Sequence, residues 1–128
     1  MKKFIILGTV LFTSLIAISQ TKIENSKWKV HTEVPRAADL QYQFAKDTLT
    51  VFNDAGDAVQ SMLFSEQRDT LYLRMILPGA SPCPVGAEGW YKIIWQENGA
   101  RFLLKSIKDD CSARINRLTN MQVIQRVH

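Results

Sequence analysis

Few side chains in this sequence are of a type that carries chemistry, and their spacing does not assemble a reaction centre. Histidine occurs only at His31 and at the terminal His128. A hydrolase needs a nucleophile with a base held within hydrogen-bond reach. His31 lies in a run where Trp28, Val30, Thr32 and Val34 share one side, so strand alternation turns it toward solvent. The reading is a solvated histidine, neither catalytic nor metal-binding. Asp109 and Asp110 could be imagined as a metal or acid–base pair, yet adjacent loop carboxylates usually serve turns and caps. Asp54 and Asp57 read the same way, since an EF-hand needs further oxygen ligands at fixed spacing. No glycine-rich phosphate loop follows a strand and opens a helix. The expectation is a protein that is not an enzyme, with no metal and no cofactor.

The two cysteines, Cys83 and Cys111, have no histidine at ligand spacing and would make a poor zinc site. Met1-Lys2-Lys3 is basic, residues 4–18 are almost wholly apolar, and Ala17-Ile18-Ser19 offers small residues where a signal peptidase reads. Residues 1–19 are therefore expected to be a removed secretory signal, leaving residues 20–128 as one domain. Export to an oxidising compartment, periplasmic or extracellular, favours a Cys83–Cys111 disulfide. Without Lys2 and Lys3 the chain keeps 14 basic and 12 acidic side chains, a formal charge of about +2 instead of +4. The basic residues are dispersed along the chain, so a nucleic-acid partner has little support. No segment after the signal is long and apolar enough to span a bilayer.

The elements that would carry these residues are strands. The clearest is a hairpin: residues 89–97 and 100–107 are apolar runs joined at Asn98-Gly99, the dipeptide suited to a two-residue turn with positive φ. Tyr91, Ile93 and Trp95 share one face of the first run, and Phe102, Leu104 and Ser106 one face of the second. Alternation places further strands at residues 28–34, 40–45, 48–52, 58–65, 70–77 and 119–127. Residues 78–88 hold three prolines, two glycines and Cys83 and form a loop, and residues 109–118 leave room for a short helical turn.

Eight strands with short reversals and no long crossover helix predict an all-β, eight-stranded antiparallel up-and-down barrel, which removes unpaired edges. In that topology the loops after strands five and seven lie at one end. Cys83 and Cys111 occupy those two loops, as a disulfide with Cα atoms within about 7 Å requires.

An early strand opening on tryptophan, eight meandering strands and an arginine near the end of the last resemble the lipocalin-like branch of the calycin superfamily. That family usually begins Gly-x-Trp, where this chain has Ser26-Lys27-Trp28. Asp109-Asp110-Cys111-Ser112-Ala113-Arg114 resembles the Asp-x-Cys-x-x-Arg ending of small exported bacterial lipocalin-like proteins. The resemblance covers most of residues 23–128 and implies an arginine packed on Trp28 to close the barrel. Topology favours Arg126 for that role, and the bacterial motif favours Arg114.

The inward set includes Tyr42, Phe44, Met75, Tyr91, Trp95 and Phe102, which are either core or the lining of a ligand site. Tyr42, Tyr91 and Trp95 join apolar area to one polar atom. The outward set Tyr72, Arg74 and Trp90 is the type of exposed aromatic group that marks contact surfaces. The expected function is a non-enzymatic, lipocalin-like carrier of a small, mainly apolar ligand. The alternative is a solidly packed barrel that meets another protein of the cell envelope.

Overall fold

The computed structural model describes residues 22–128, so the assigned leader lies outside the described residues. Apolar and polar side chains alternate along eight strands: β1 (Ser26–Thr32), β2 (Ala38–Ala45), β3 (Thr48–Phe52), β4 (Ala58–Gln67), β5 (Thr70–Leu77), β6 (Glu88–Gln96), β7 (Arg101–Asp109) and β8 (Gln122–Val127). A helix, α1 (Ser112–Asn120), separates the last two. All pairings are antiparallel, in the order β7-β6-β5-β4-β3-β2-β1-β8. The last strand returns to the first, and the sheet curls into a nearly closed barrel. The residual seam runs between β7 and β8, which approach each other without forming a ladder.

The helix that enters between these two strands in sequence is longer than the sequence suggests. Thr119 and Asn120, expected in the last strand, complete the helix instead. Thr119 Oγ1 donates to the Ile115 carbonyl at 2.7 Å and Asn120 Nδ2 to the Asn116 carbonyl at 2.8 Å, which keeps both residues on the helical path. Arg114 and Leu118, four residues apart, are the buried face of α1.

The reversals follow from local chemistry. Asn98 and Gly99 have φ of 55° and 89°, Gln96 pairs with Arg101, and the Ala100 N–H donates to the Glu97 carbonyl at 3.1 Å. The Asn98-Gly99 turn falls where expected, but Glu97 also takes φ of 51°, so four residues and not two connect the paired positions Gln96 and Arg101. Between β4 and β5, Arg68 and Asp69 take φ of 52° and 62° without a glycine. Such a conformation costs roughly 1 kcal/mol per residue. Two bonds hold it: Ile93 N–H to the Asp69 carbonyl at 2.7 Å, and Trp95 Nε1–H to Asp69 Oδ1 at 3.1 Å.

One irregularity decides which arginine reaches Trp28. Strict alternation would put Val123 and Val127 on one face of β8. The ladder instead shifts register, with Lys29 opposite Gln125 and Val30 opposite Val123, so Ile124 is the extra residue of a bulge. Beyond the bulge Arg126 stands opposite Trp28, and Val127 moves to the side of Lys27. The Arg126 guanidinium lies 5.1 Å from the indole centroid. Ser26, in place of a glycine, accepts the Trp28 indole N–H on Oγ at 2.7 Å and donates its own hydroxyl to the Ile23 carbonyl. A glycine could do neither.

Candidate functional site

Side-chain size divides the barrel interior into two halves. At the end closed by the short turns, large rings fill the space: Trp28 and Phe102 meet edge to face with centroids 4.8 Å apart, and Phe44 and Phe64 at 5.1 Å. Trp95 packs on both Trp28 and Phe102. The depression outside this end, about 770 Å³, is lined mainly by charged and polar groups such as Lys22, Lys46, Glu66 and Arg68. Glu66 is engaged there, accepting the Ile23 N–H at 2.8 Å. Burial raises its carboxyl above the ordinary range, although the Ile23 N–H opposes the shift.

At the other end the inward residues are mainly apolar and leave a cavity of about 460 Å³. Leu40, Tyr42, Met62 and Met75 line it from the strands, Pro78 and Pro82 from the loop after β5, and Ala113, Asn116 and Leu118 from α1. Arg36 and Arg117 also line it, as does the inner edge of Arg114. Tyr42 is buried, and desolvation pushes its hydroxyl up to about 12 despite the opposing field of Arg117. Of the six barrel-interior residues expected to meet a ligand, Tyr42 and Met75 line this cavity. Phe44, Phe102 and Trp95 belong to the packed half, and Trp95 also borders the charged depression. Tyr91 is fully buried beneath the mouth.

The loops at the mouth are held by two clamps. Cys83 and Cys111 are bonded, with Cα atoms 5.6 Å apart, which joins the loop after β5 to the start of α1. The second clamp brings together the acid and base that flank Cys111 in sequence. Arg114 Nε donates to Asp109 Oδ2 at 2.7 Å and Nη2 to Oδ1 at 2.9 Å, a bidentate pair with side chains 3% and 0% exposed. Arg114 Nη2 also donates to the Ala87 carbonyl at 3.1 Å. Asp109 accepts further bonds from the Tyr91 hydroxyl and, at 2.7 Å, from the Cys111 N–H.

Burial alone would raise the Asp109 carboxyl, but the bonds from Arg114, Tyr91 and Cys111 outweigh it and hold the carboxyl below its usual range. Burial together with the Asp109 charge raises the Tyr91 hydroxyl. Gly89 is required beneath the pair, because a Cβ there would stand 2.5 Å from Asp109 Oδ2. The Asp-x-Cys-x-x-Arg spacing is thus a structural clasp: Arg114 serves Asp109, and Arg126 serves Trp28. Reading Asp109 only as a turn residue missed its partner.

Comparison with protein-family models, curated proteins and solved structures finds no match. What the site can do is therefore argued from its own geometry.

His31 is the other polar group with a defined setting. It stands on the outer side of β1, opposite Asp39 of β2. Its Nδ1 lies 2.7 Å from Asp39 Oδ1, and Nε2 contacts Glu33. Hydrogen bonds to Asp39 and then Glu33 raise its pKa above 6.5. With carboxylates on both ring nitrogens, the protonated imidazole donates to each and ties β1 to β2 just below the 33–37 loop.

Proposed function

We propose that this chain is a non-enzymatic, lipocalin-like carrier, exported to the periplasm or beyond, that holds a small, mainly apolar molecule in the mouth cavity. The observation that carries the reading is the mainly apolar cavity of about 460 Å³ beneath α1, in the size range of small-molecule sites. Its cationic lining, Arg36 and Arg117, suits a ligand with an anionic end. The disulfide supports export to an oxidising compartment. No helix among the described residues is long and apolar enough to cross a membrane. The candidates for proton transfer are committed elsewhere: Asp109, Arg114 and Tyr91 to one another, and His31 to two carboxylates.

The test is titration with a fluorescent naphthylamine probe, alongside native mass spectrometry of protein recovered from its own host. Probe uptake with a bound small molecule is expected, and Leu40→Trp, which narrows the mouth from a half-buried position, should weaken uptake without lowering the melting temperature. Absence of both uptake and any bound molecule would refute the carrier. That result would favour the packed barrel as an envelope-protein contact module, with the exposed Leu77 and Val85 at the same end as its contact residues.

A further inference from the structure

Basic residues that are scattered in the sequence are gathered by register onto one outer face. On β5, β6 and β7 the outward positions form cross-strand rows. Tyr72, Trp90 and Lys108 are aligned in one row, and Thr70, Lys92 and Lys105 in the next. Ile94 and Leu103 stand opposite each other beyond them. The Tyr72 and Trp90 rings lie 5.3 Å apart, and Lys108 Nζ is 5.7 Å from the Trp90 centroid. Neighbouring strands are about 4.8 Å apart, so the whole set falls within a narrow, continuous strip.

Two properties of the strip conflict with a merely solvated surface. Lys92 and Lys105 are directly opposite on antiparallel strands, an arrangement that destabilises the sheet unless an anion covers it. Among the described residues, Lys92, Lys105 and Lys108 make no ion pair, while Glu88 stands opposite Arg74 at the margin of the strip and accepts from Tyr72. Alongside these cations the aliphatic side chains Ile94, Leu103 and Ile107 are 38%, 45% and 57% exposed, Ile107 between Lys105 and Lys108 and the other two just beyond Lys92 and Lys105.

We infer that this face docks the protein on an anionic lipid bilayer. Lysines interleaved with aliphatic groups and a tryptophan match such an interface from both sides. The ammonium groups meet lipid phosphates, while Ile94, Leu103, Ile107 and the Trp90 ring enter the boundary below them. A nucleic acid would use the cations but gain nothing from three exposed aliphatic chains. The surface is independent of the mouth cavity, so docking does not require a bound ligand.

The test is co-sedimentation of the full protein with phosphatidylcholine vesicles, with and without about 30 mol% phosphatidylglycerol. Binding only to the anionic vesicles is expected. Lys92→Glu combined with Lys105→Glu should cut the partition coefficient at least about tenfold, whereas Lys27→Glu with Lys29→Glu, the same charge change on β1, should leave most of it. Leu103→Ser with Ile107→Ser should remove the part of the binding that survives high salt. These positions are exposed, and unchanged melting temperatures would verify that the variants fold. No preference for anionic vesicles would overturn the inference, as would equal losses from both charge reversals. Salt-labile binding to heparin and vesicles alike, indifferent to Leu103 and Ile107, would also overturn it in favour of a generic polyanion surface.

Discussion

Replacing Arg114 with methionine tests the clasp most directly. The substitution keeps most of the side-chain volume and removes the two bonds to Asp109 and the one to the Ala87 carbonyl. It leaves an Asp109 side chain that is 0% exposed without its counter-charge. Breaking a buried pair from one side costs about 3–5 kcal/mol. For a domain whose total stability is about 5–15 kcal/mol, that is a large share. Urea unfolding of the oxidised protein at neutral pH should show this loss as a lower midpoint with little change in slope. Asp109→Leu in the Arg114→Met background should restore part of it, because the uncompensated charge is gone. The coupling between the two sites is expected to exceed about 1 kcal/mol.

The pH dependence separates this account from simple loss of packing. In the native protein the Asp109 carboxyl is held below its ordinary 3.8. A depressed carboxyl contributes stability that is complete above the unfolded value and is lost as pH falls through the folded one. Without Arg114 two of the causes that lower the carboxyl are gone, the guanidinium's hydrogen bonds and its charge, so burial pulls the folded value upward against only the Tyr91 and Cys111 bonds. The deficit of Arg114→Met against the native protein should therefore begin to narrow as pH falls through the variant's higher carboxyl value and go on narrowing down to the depressed native one, below 3.8. A deficit under about 1 kcal/mol at neutral pH, or one that stays constant into acid, would refute the reasoning.

Gly89→Ala should destabilise by about 1–3 kcal/mol in thermal unfolding, because the new Cβ would also stand 3.2 Å from Arg114 Nη2 and push the pair apart. Replacing both cysteines with serine opens a loop whose ends are 28 residues apart, and chemical denaturation should register a loss of about 3–4 kcal/mol. His31 has a raised folded pKa, so its contribution is complete below its unfolded value near 6.5 and disappears as pH rises through the folded one. Proton NMR of the imidazole should show a midpoint above 6.5, and His31→Gln should flatten the stability profile in that window.

Where period-2 alternation is unbroken, the sequence is sufficient: β3 and β5 occupy residues 48–52 and 70–77, as their alternation requires. The Asn98-Gly99 turn is legible for the same local reason. The bulge at Ile124 has no such signature, since any residue can be the extra one, and its consequence is a change of face for everything beyond it. The choice between Arg126 and Arg114 therefore needed the ladder. The sequence signals only a short turn where α1 forms, because its nine residues bury only Arg114 and Leu118, a stripe too thin to announce a helix.

Side-chain volume explains why the cavity could not be separated from the core by alternation alone. The same inward pattern runs the length of each strand, and burial is equally complete for Phe44 and Met75. What differs is what the opposing strands contribute at each level. Trp28, Phe102, Phe44 and Phe64 converge at the turn end and fill the interior there. At the mouth Leu40, Tyr42 and the paired Met62 and Met75 leave a cavity open, and Ala113, Asn116 and Leu118 of α1 border it. The clasp and the disulfide then acquire a common purpose, because both anchor the segment that roofs this space. Arg114 spans the two roles, pairing with Asp109 through Nε while its other end borders the cavity near Met62. Loosening Arg114 should thus widen the mouth as well as weaken the fold, which couples the stability of the barrel to the size of its cavity.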